Sequence, residues 1–418
     1  MRFLHLADVH LDTPFRGRSE SLRTRLREAL RQAFRRAVDR ALEERVDAVV
    51  IAGDLFDGHR LSFRSERFLE AEMHRLCRNG VGVFYATGNH DPGELGSERS
   101  RIRWPEGVTI FRDPDPEIVD VTRNGKRVGK VVGAGHATAR ETRDLSRSFP
   151  TPDDESLPWI ALLHTQVGGA RGSEAHDPYA PSDLTYLRSA GYDYWALGHV
   201  HGRQVLSENP AVHYPGNLQG RHPGETGSKG ALLVEIPTRG APQSISFMNL
   251  APVRWAHLRL DGLDGVTHLD GLVRRIAEGW KVERLEDPGE PDTEWIVRVE
   301  LTGPCDLHRE LGRREEVTTL EEELAGALNA LDVELRADGL HPAADPAPYL
   351  QRQDAVGEAL RLLQAILDGG AEDPAASLEL APEDLAGLED ELVAAYIRER
   401  VSGGDGELVS RFETGGEG

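Results

Sequence analysis

Cysteine is scarce in this chain: Cys77 and Cys305 are the only two in 418 residues, far apart and without a partner pattern. That excludes a disulfide framework and a cysteine-based zinc site, so each reads as a small buried hydrophobe. Long apolar runs are missing as well. The opening Met1-Arg2-Phe3-Leu4-His5-Leu6-Ala7-Asp8 is too short for a signal sequence and is broken by His5. No run of about eighteen apolar residues follows, and the expectation is a cytoplasmic protein with no membrane partner. A basic excess, the usual footprint of polyanion binding, is also lacking, since the net charge is −22. Its distribution softens that argument. Residues 1–250 hold 33 acidic and 33 basic side chains, so the whole net charge falls in the C-terminal part. Such a step marks a domain boundary, with an acidic solvated surface as the competing reading. At 46.1 kDa the chain has room for two or three domains.

What is present is a series of apolar strands that stop in polar residues. Val49 to Ala52 is followed by Gly53-Asp54-Leu55-Phe56-Asp57, and Phe3 to Ala7 by Asp8-Val9-His10. Between them Leu22, Leu26, Leu30, Phe34, Val38 and Leu42 recur at helical spacing and leave the many arginines outside. Phe68, Leu69, Met73 and Leu76 mark another helix, and Val81 to Ala86 a third strand ending in Gly88-Asn89-His90-Asp91. This alternation predicts parallel strands with helical crossovers. From Val108 to Ala134 short alternating runs divided by Asn124-Gly125 predict a hairpin and a second, more antiparallel sheet. Trp159 to Leu163 ends in His164, Tyr192 to Leu197 in Gly198-His199-Val200-His201, and Ala231 to Ile236 and Ile245 to Leu250 read as closing strands.

Residues 1–250 therefore read as one domain and 251–340 as a small α/β domain. In the latter, Trp255 to Leu260, Trp295 to Leu301 and Asp332 to Leu335 have strand character, with helical spacing at Val266 to Ile276 and Leu320 to Leu331. Pro342, Pro346 and Pro348 punctuate a linker that opens the segment 341–418. Val356, Leu360, Leu363 and Leu367 form one helical stripe there, and Leu385, Leu388, Leu392 and Tyr396 another. Two short helices bury little alone, so this acidic tail reads as a partner-docking element.

The strand ends present Asp8, His10, Asp54, Asn89, His90, His164, His199 and His201. In parallel α/β sheets ligands bind beyond the carboxyl ends of strands, so these residues can share one crevice. Imidazole, carboxylate and amide form a mixed N/O set that suits manganese, iron or zinc better than calcium. Two ions about 3.5–4 Å apart need a shared ligand, and Asp54 is the natural bridge. Asp8, His10 and His201 then belong to one ion and Asn89, His164 and His199 to the other. A hydroxide shared by the ions is expected to attack phosphorus in line with the leaving oxygen. His90 would stabilise charge or protonate the leaving alcohol, with Asp57 orienting and charging it. His5, His136, His213 and His222 have no place in that count and read as structural, while Asn217 and Arg221 are candidates for the substrate cleft.

The series Asp8-x-His10, Gly53-Asp54-x-x-Asp57, Gly88-Asn89-His90-Asp91, His164 and Gly198-His199-x-His201 resembles the calcineurin-like metallophosphoesterases. Within them, His5 to Phe15 and Tyr214 to Pro223 look most like the SbcD-type DNA repair exonucleases and their YhaO-like branch. The resemblance implies a four-layer αββα sandwich of two mixed sheets, a small α/β capping domain and a C-terminal helical segment. It also implies a manganese-dependent DNA exonuclease, with endonuclease activity open, whose partners are DNA, an SMC-like coiled-coil ATPase (SbcC-like) and a second copy of itself. Gly58 stands where the protein-phosphatase branch has arginine, which argues against a phosphoprotein substrate. A phosphodiesterase or nucleotidase on small nucleotides or lipids, and a non-catalytic DNA-end scaffold, are the alternatives.

Overall fold

The computed structural model describes residues 1–57, 61–95, 102–153, 156–169, 179–342, 346–370, 390–401 and 403–415. The chain divides into two compact units, Met1–Trp255 with Glu290–Glu294, and Ala256–Gly289 with Trp295–Gly418. Gly58, Leu385 and Leu388 lie outside the described residues.

The first unit begins with β1 (Arg2–Leu6), α1 (Glu20–Glu43), β2 (Ala48–Ala52), α2 (Phe63–Arg78), β3 (Gly82–Ala86) and β4 (Val108–Phe111). It continues through β5 (Glu117–Arg123), β6 (Lys126–Ala134), β7 (Trp159–His164), α3 (Leu184–Ser189), β8 (Tyr194–Gly198), β9 (Gln204–Glu208) and β10 (Ala211–Tyr214) to β11 (Gly230–Glu235) and β12 (Ser244–Asn249). Two six-stranded sheets result, ordered β12-β11-β1-β2-β3-β4 and β5-β6-β7-β8-β10-β9. In the first, β1 to β4 are parallel and β11 and β12 antiparallel.

The second sheet is mixed rather than mainly antiparallel. Its central strands β6, β7, β8 and β10 are parallel, and antiparallel pairing is confined to the edges β5 and β9. The Asn124-Gly125 signal was local, and it holds locally: both residues have positive φ, 50° and 74°, as a tight hairpin turn requires. Strands β9 and β10 were not legible, because β9 is a half-exposed edge whose residues carry no clean apolar alternation.

Between the sheets lies a dry layer built from Phe3, Val50 and Phe84 on one side and Val131, Ile160, Leu162 and Tyr194 on the other. Each large side chain buried there contributes about 1.5–3 kcal/mol. Helix α1 is capped by Ser19 and α2 by Ser62, each accepting from a first-turn amide. Leu26, Leu30 and Phe34 supply the buried stripe of α1 as its periodicity predicts, with one exception on the charged side: Arg31 is also buried and is held by Glu28. Leu145, Phe149, Leu187 and Tyr192 cover the outer face of the second sheet. The order helix, sheet, sheet, helix is therefore the four-layer sandwich.

The second unit has its own core. Strands β13 (Val253–Leu260), β14 (Glu294–Pro304) and β15 (Asp332–His341) form a three-stranded sheet backed by α4 (Leu269–Glu286), the short α5 (His308–Leu311) and α6 (Arg314–Ala327). Leu272, Ile276, Trp280, Trp295, Val297 and Leu324 are buried together there. After the turn α7 (Ala347–Leu350) come α8 (Ala355–Leu367), α9 (Asp390–Val401) and α10 (Gly404–Gly415). The buried stripe of α9 runs through Val393 and Ile397 against Ile366, whereas Tyr396 is 52% exposed. Cys305 is buried and Cys77 half-buried, both unpaired by disulfide. Among the described residues no helix is long and apolar enough to cross a membrane.

Two histidines sit neutral in the sandwich. His5 accepts from the Tyr194 hydroxyl at Nδ1 (3.0 Å) and donates from Nε2 to the Leu197 carbonyl (3.1 Å). Burial pushes His5 down to about 3, and burial alone pushes His213 down to about 4. The unfolded chain binds these protons near the ordinary value of 6.5, so the stability is full above that pH and is lost as pH falls. Each contributes a slope of about 1.4 kcal/mol per pH unit between the two values. Urea midpoints measured from pH 6.5 to 4 should fall steadily, and His213→Phe should flatten the slope by one proton; an unchanged slope would show that His213 is charged in the fold.

Candidate metal centre

Parallel strands of both sheets stop at one place. Asp8 and His10 follow β1, Asp54 follows β2, Asn89 and His90 follow β3, His164 closes β7, and His199 and His201 follow β8. The chain leaves its extended course sharply there. Asp8, His10 and Asp54 have φ of 49°, 50° and 50°, and His199 has 107°. Such conformations cost side-chain-bearing residues roughly 1–3 kcal/mol each and persist only where the surroundings over-determine them. Two glycines let the strand ends touch. A Cβ at Gly88 would collide with the Asp54 carboxylate, and one at Gly198 with the Ala52 carbonyl.

Asp91, buried below, ties the turns together. Its carboxylate accepts from the backbone N–H of Asp54 (3.2 Å), Leu55 (2.5 Å) and Gly88 (2.7 Å) and from the Tyr85 hydroxyl (2.5 Å). Burial and the nearby Asp54 charge push it up to about 7 against the Tyr85, Gly88 and Leu55 donors.

The hydrogen bonds fix which ring nitrogens carry protons. His10 Nδ1 lies 2.8 Å from Asp57 Oδ1, His201 Nδ1 lies 2.6 Å from Glu225 Oε1, and His164 Nδ1 lies 2.8 Å from the Ala52 carbonyl. Each partner can only accept, so each Nδ1 donates and each neutral ring aims its Nε2 lone pair inward. Those lone pairs meet other acceptors. His10 Nε2 is 3.2 Å from His201 Nε2, and His164 Nε2 is 2.9 Å from Asn89 Oδ1. His199 Nδ1 approaches the same Asn89 oxygen at 3.3 Å. Asp54 Oδ2 lies 3.7 Å from His10 Nε2 and 3.5 Å from His164 Nε2, and Asp8 Oδ1 lies 3.8 Å from His201 Nε2.

Acceptors opposed in this way repel unless positive charge sits among them, and imidazole, carboxylate and amide are donors suited to a divalent cation. The residues present therefore fit metal ions. Ligand atoms of Asp8, His10 and His201, and of Asp8, Asp54 and His164, lie within 4.8 Å of one another. Electrostatics agree. Burial lowers His10 to about 3 and also lowers His164 and His201, which keeps all three neutral. Asp8 is raised well above the usual range by burial and by Asp54. Asp54 itself is lowered despite its burial, with the charged His90 ring nearby and the His90 backbone N–H donating to its Oδ1 at 2.9 Å.

A second layer surrounds these groups. Asp57 Oδ1 holds His10 and also His90 Nδ1 at 2.7 Å, and its Oδ2 accepts from Thr13 Oγ1 (2.6 Å) and Arg221 Nη1 (3.2 Å). Burial works against the Asp57 carboxylate, yet the bonds to His10 and His90 hold it well below the ordinary value. The same Asp57 bond lifts His90 to about 9, and that ring is 43% exposed. Arg221 is 15% exposed beside it. Asn217 is fully buried, and its amide donates to Glu225 Oε2 (2.7 Å) and to the Gln219 carbonyl (3.0 Å). Of the remaining histidines, His136 donates to the His164 carbonyl at 2.7 Å, and His222 lies 3.2 Å from Glu225.

Such a centre, at the strand ends of a two-sheet sandwich, is that of a metal-dependent phosphoesterase. The chain belongs to the calcineurin-like phosphoesterase family, whose model matches residues 1–203, and residues 255–338 match the middle domain of the metallophosphoesterase YhaO. It is 40% identical over 307 residues to YhaO of Bacillus subtilis, covering 72% of each chain. It is 27% identical to the SbcD component of the nuclease SbcCD of Rhodobacter capsulatus, over 84% of this chain and 92% of that one. To the DNA double-strand break repair protein Mre11 of Aeropyrum pernix it is 28% identical, over 60% of this chain and 59% of that one.

Sequence reasoning missed Glu225, Thr13, Lys229 and the work of Asp91. Lys229 is buried and donates from Nζ to the His201 carbonyl at 3.0 Å. The stretch that pointed to the family stops at Pro223, two residues short of Glu225, and no strand end announces that carboxylate. Glu225 also accepts from the Arg221 backbone N–H at 2.6 Å, so it fixes the His201 ring and the following loop together. Replacing it tests this. Glu225→Ala should weaken metal binding about 10–100-fold in a calorimetric titration with manganese, with Glu225→Gln restoring much of the loss. Unchanged affinity in Glu225→Ala would mean that His201 is oriented without it.

Proposed function

We propose that this chain is a two-metal phosphodiesterase that degrades DNA from its ends, a manganese-dependent exonuclease of cytoplasmic DNA repair. The observation that carries the reading is the opposition of lone pairs around Asp54, at 3.2 Å between His10 and His201 and 2.9 Å between His164 and Asn89. We assign Asp8, His10 and His201 to one ion, Asn89, His164 and His199 to the other, and Asp54 to both. Two bound ions would activate water near neutral pH and neutralise charge developing on the phosphate.

The chain's own groups do the rest. Asp57 keeps His90 protonated and, by occupying Nδ1, leaves Nε2 to give its proton to the leaving alcohol. That ring is 43% exposed and so open to an approaching substrate. Arg221, also on Asp57, adds a second positive group for the phosphate oxygens. Asn217 acts through Glu225, holding the loop that carries Arg221. DNA as substrate is supported by alignment along most of the chain with a protein named as part of a nuclease. Residues 1–250 carry the hydrolysis in this reading, 251–340 form the capping domain, and 341–418 dock an SMC-like coiled-coil ATPase (SbcC-like), with a second copy of the chain as a further partner.

End-labelled linear duplex incubated with the chain and manganese should be shortened, and Asp54→Asn should slow the reaction at least about a hundredfold. His90→Ser should keep metal affinity while kcat falls by about 10²–10⁴. Loss of metal binding in that variant would reassign His90 as a ligand. Intact DNA alongside hydrolysed small nucleotide esters would replace the nuclease reading with a nucleotidase.

The tail is tested separately. Removing residues 341–418 should leave hydrolysis of a generic phosphodiester in place and abolish co-purification with the ATPase; retained association would remove the docking role.

A further inference from the structure

A cavity of about 530 Å³ opens between the N-terminal halves of α1 and α2. Asp12, Thr24, Arg27, Arg31, Ser62 and Arg64 line it, so three arginines share one space. The turn after β1 joins this cavity to the metal centre. Asp12 lines the cavity, while its neighbour Thr13 donates from Oγ1 to Asp57 Oδ2 at 2.6 Å. Arg27 holds the same turn, with Nε donating to the Thr13 carbonyl at 3.1 Å and Nη2 to the Pro14 carbonyl at 3.3 Å.

The arginines offer more donors than the protein gives them acceptors. A guanidinium carries five N–H groups. Arg27 uses two of them on the two carbonyls and meets no carboxylate among the described residues. Arg31, only 5% exposed, directs Nε and Nη2 to Glu28 Oε2 at 3.2 and 2.8 Å and Nη1 to Ser65 Oγ at 3.4 Å. Arg64 donates to the same Glu28 oxygen at 2.8 Å, so one carboxylate serves two guanidinium groups. Asp12 is engaged on the other wall, accepting from the Ser62 N–H (2.6 Å), the Ser62 hydroxyl (3.2 Å) and the Ser65 hydroxyl (2.6 Å). The start of α2 is thereby satisfied within the protein, and the attraction comes from the arginines. Three guanidinium groups against Glu28 and Asp12 leave a formal excess of one positive charge. Unused N–H groups around that excess suit an anion whose oxygens accept several bonds at once.

We propose that this cavity holds a backbone phosphate of the DNA, one that flanks the phosphate being cleaved, bound by Arg27, Arg31 and Arg64. A phosphodiester carries the single negative charge that the cavity lacks, and each strand repeats it about every 3.4 Å of helix axis. The inference rests on the DNA reading of the metal centre and adds the course of the strand, from that centre past the turn after β1 to the groove between α1 and α2.

The test uses the full chain carrying Asp54→Asn, which cuts slowly, titrated in manganese buffer with fluorescent duplex DNA at several salt concentrations. Each phosphate contact contributes about 0.9 to the slope of log affinity against log salt. Arg27→Ala and Arg64→Ala should therefore each flatten the slope by about one and weaken binding at least about threefold. Arg27→Lys should restore the slope, because lysine keeps the charge. Arg40→Ala, at an exposed arginine in the last turn of α1, should change neither quantity. Circular dichroism verifies folding, and Arg64, whose bond is to Glu28 alone, gives a variant that leaves the turn after β1 untouched. An unchanged slope in both alanine variants, or an equal loss in Arg40→Ala, overturns the phosphate site and leaves the DNA reading standing. A parent chain that binds no duplex at about 100 μM, within the range of non-specific binding, overturns that reading and the phosphate site with it.

Discussion

Nitrogen and oxygen lone pairs that face each other across 2.9–3.2 Å, with no proton between them, coexist only around positive charge. At this centre the constraint is imposed from behind the ligands. Asp57, Glu225 and the Ala52 carbonyl accept the Nδ1–H of His10, His201 and His164 respectively and so turn each Nε2 inward. The carboxylates that face the ions and the carboxylates that face the histidines thus have different duties. Asp8 and Asp54 supply charge, while Asp57 and Glu225 supply orientation. Asp57 combines orientation with a further effect, because the oxygen that holds His10 also raises the affinity of His90 for its proton.

Neither sheet contains the site alone. Strands β1, β2 and β3 carry Asp8, His10, Asp54, Asn89 and His90, whereas β7 and β8 of the other sheet carry His164, His199 and His201. The distance between these sets is fixed by the side chains packed between the sheets, normally about 10 Å for face-to-face packing. The small residues at the strand ends, Ala52 and Gly198 among them, let the two sheets converge further where the ligands meet. Positive φ at Asp8, His10, Asp54 and His199 is the local cost of that convergence. Asp91, itself held by the Tyr85 hydroxyl, offsets it by accepting from turn amides that would otherwise be buried without partners.

The closing strands show the opposite behaviour. At the metal centre the carboxylates, imidazoles and turn amides are drawn into one network, but at the β9 and β12 edges the inner layer ends in a cavity, and His213 Nε2 is left without a partner among the described residues. His213 read as structural because it had no place in the ligand count. Its neighbour in that layer, His5, is a satisfied core residue, with both ring nitrogens engaged. Nothing in the sequence separates the two, since the partners that engage His5, Tyr194 and Leu197, lie 189 and 192 positions away.

The sequence by itself determined where the strands end and with what chemistry. Asp8, Asp54, Asn89, His164 and His199 each follow an apolar run because a polar side chain inside a buried strand is costly unless it is paired, as His5 is, and is otherwise placed where the run stops. Asn124-Gly125 likewise dictated its turn through backbone preference alone. These are effects over a few residues, and a few residues suffice to read them. The tertiary structure decided everything that depends on distant partners: that Glu225 meets His201 across 24 positions and His10 meets His201 across 191, that Arg31 is buried, and that α9 packs through Val393 and Ile397. Hydrogen bonds and packing contacts of that range leave no period or spacing in the chain. They exist only once two sheets have been pressed together and their ends brought to a common point.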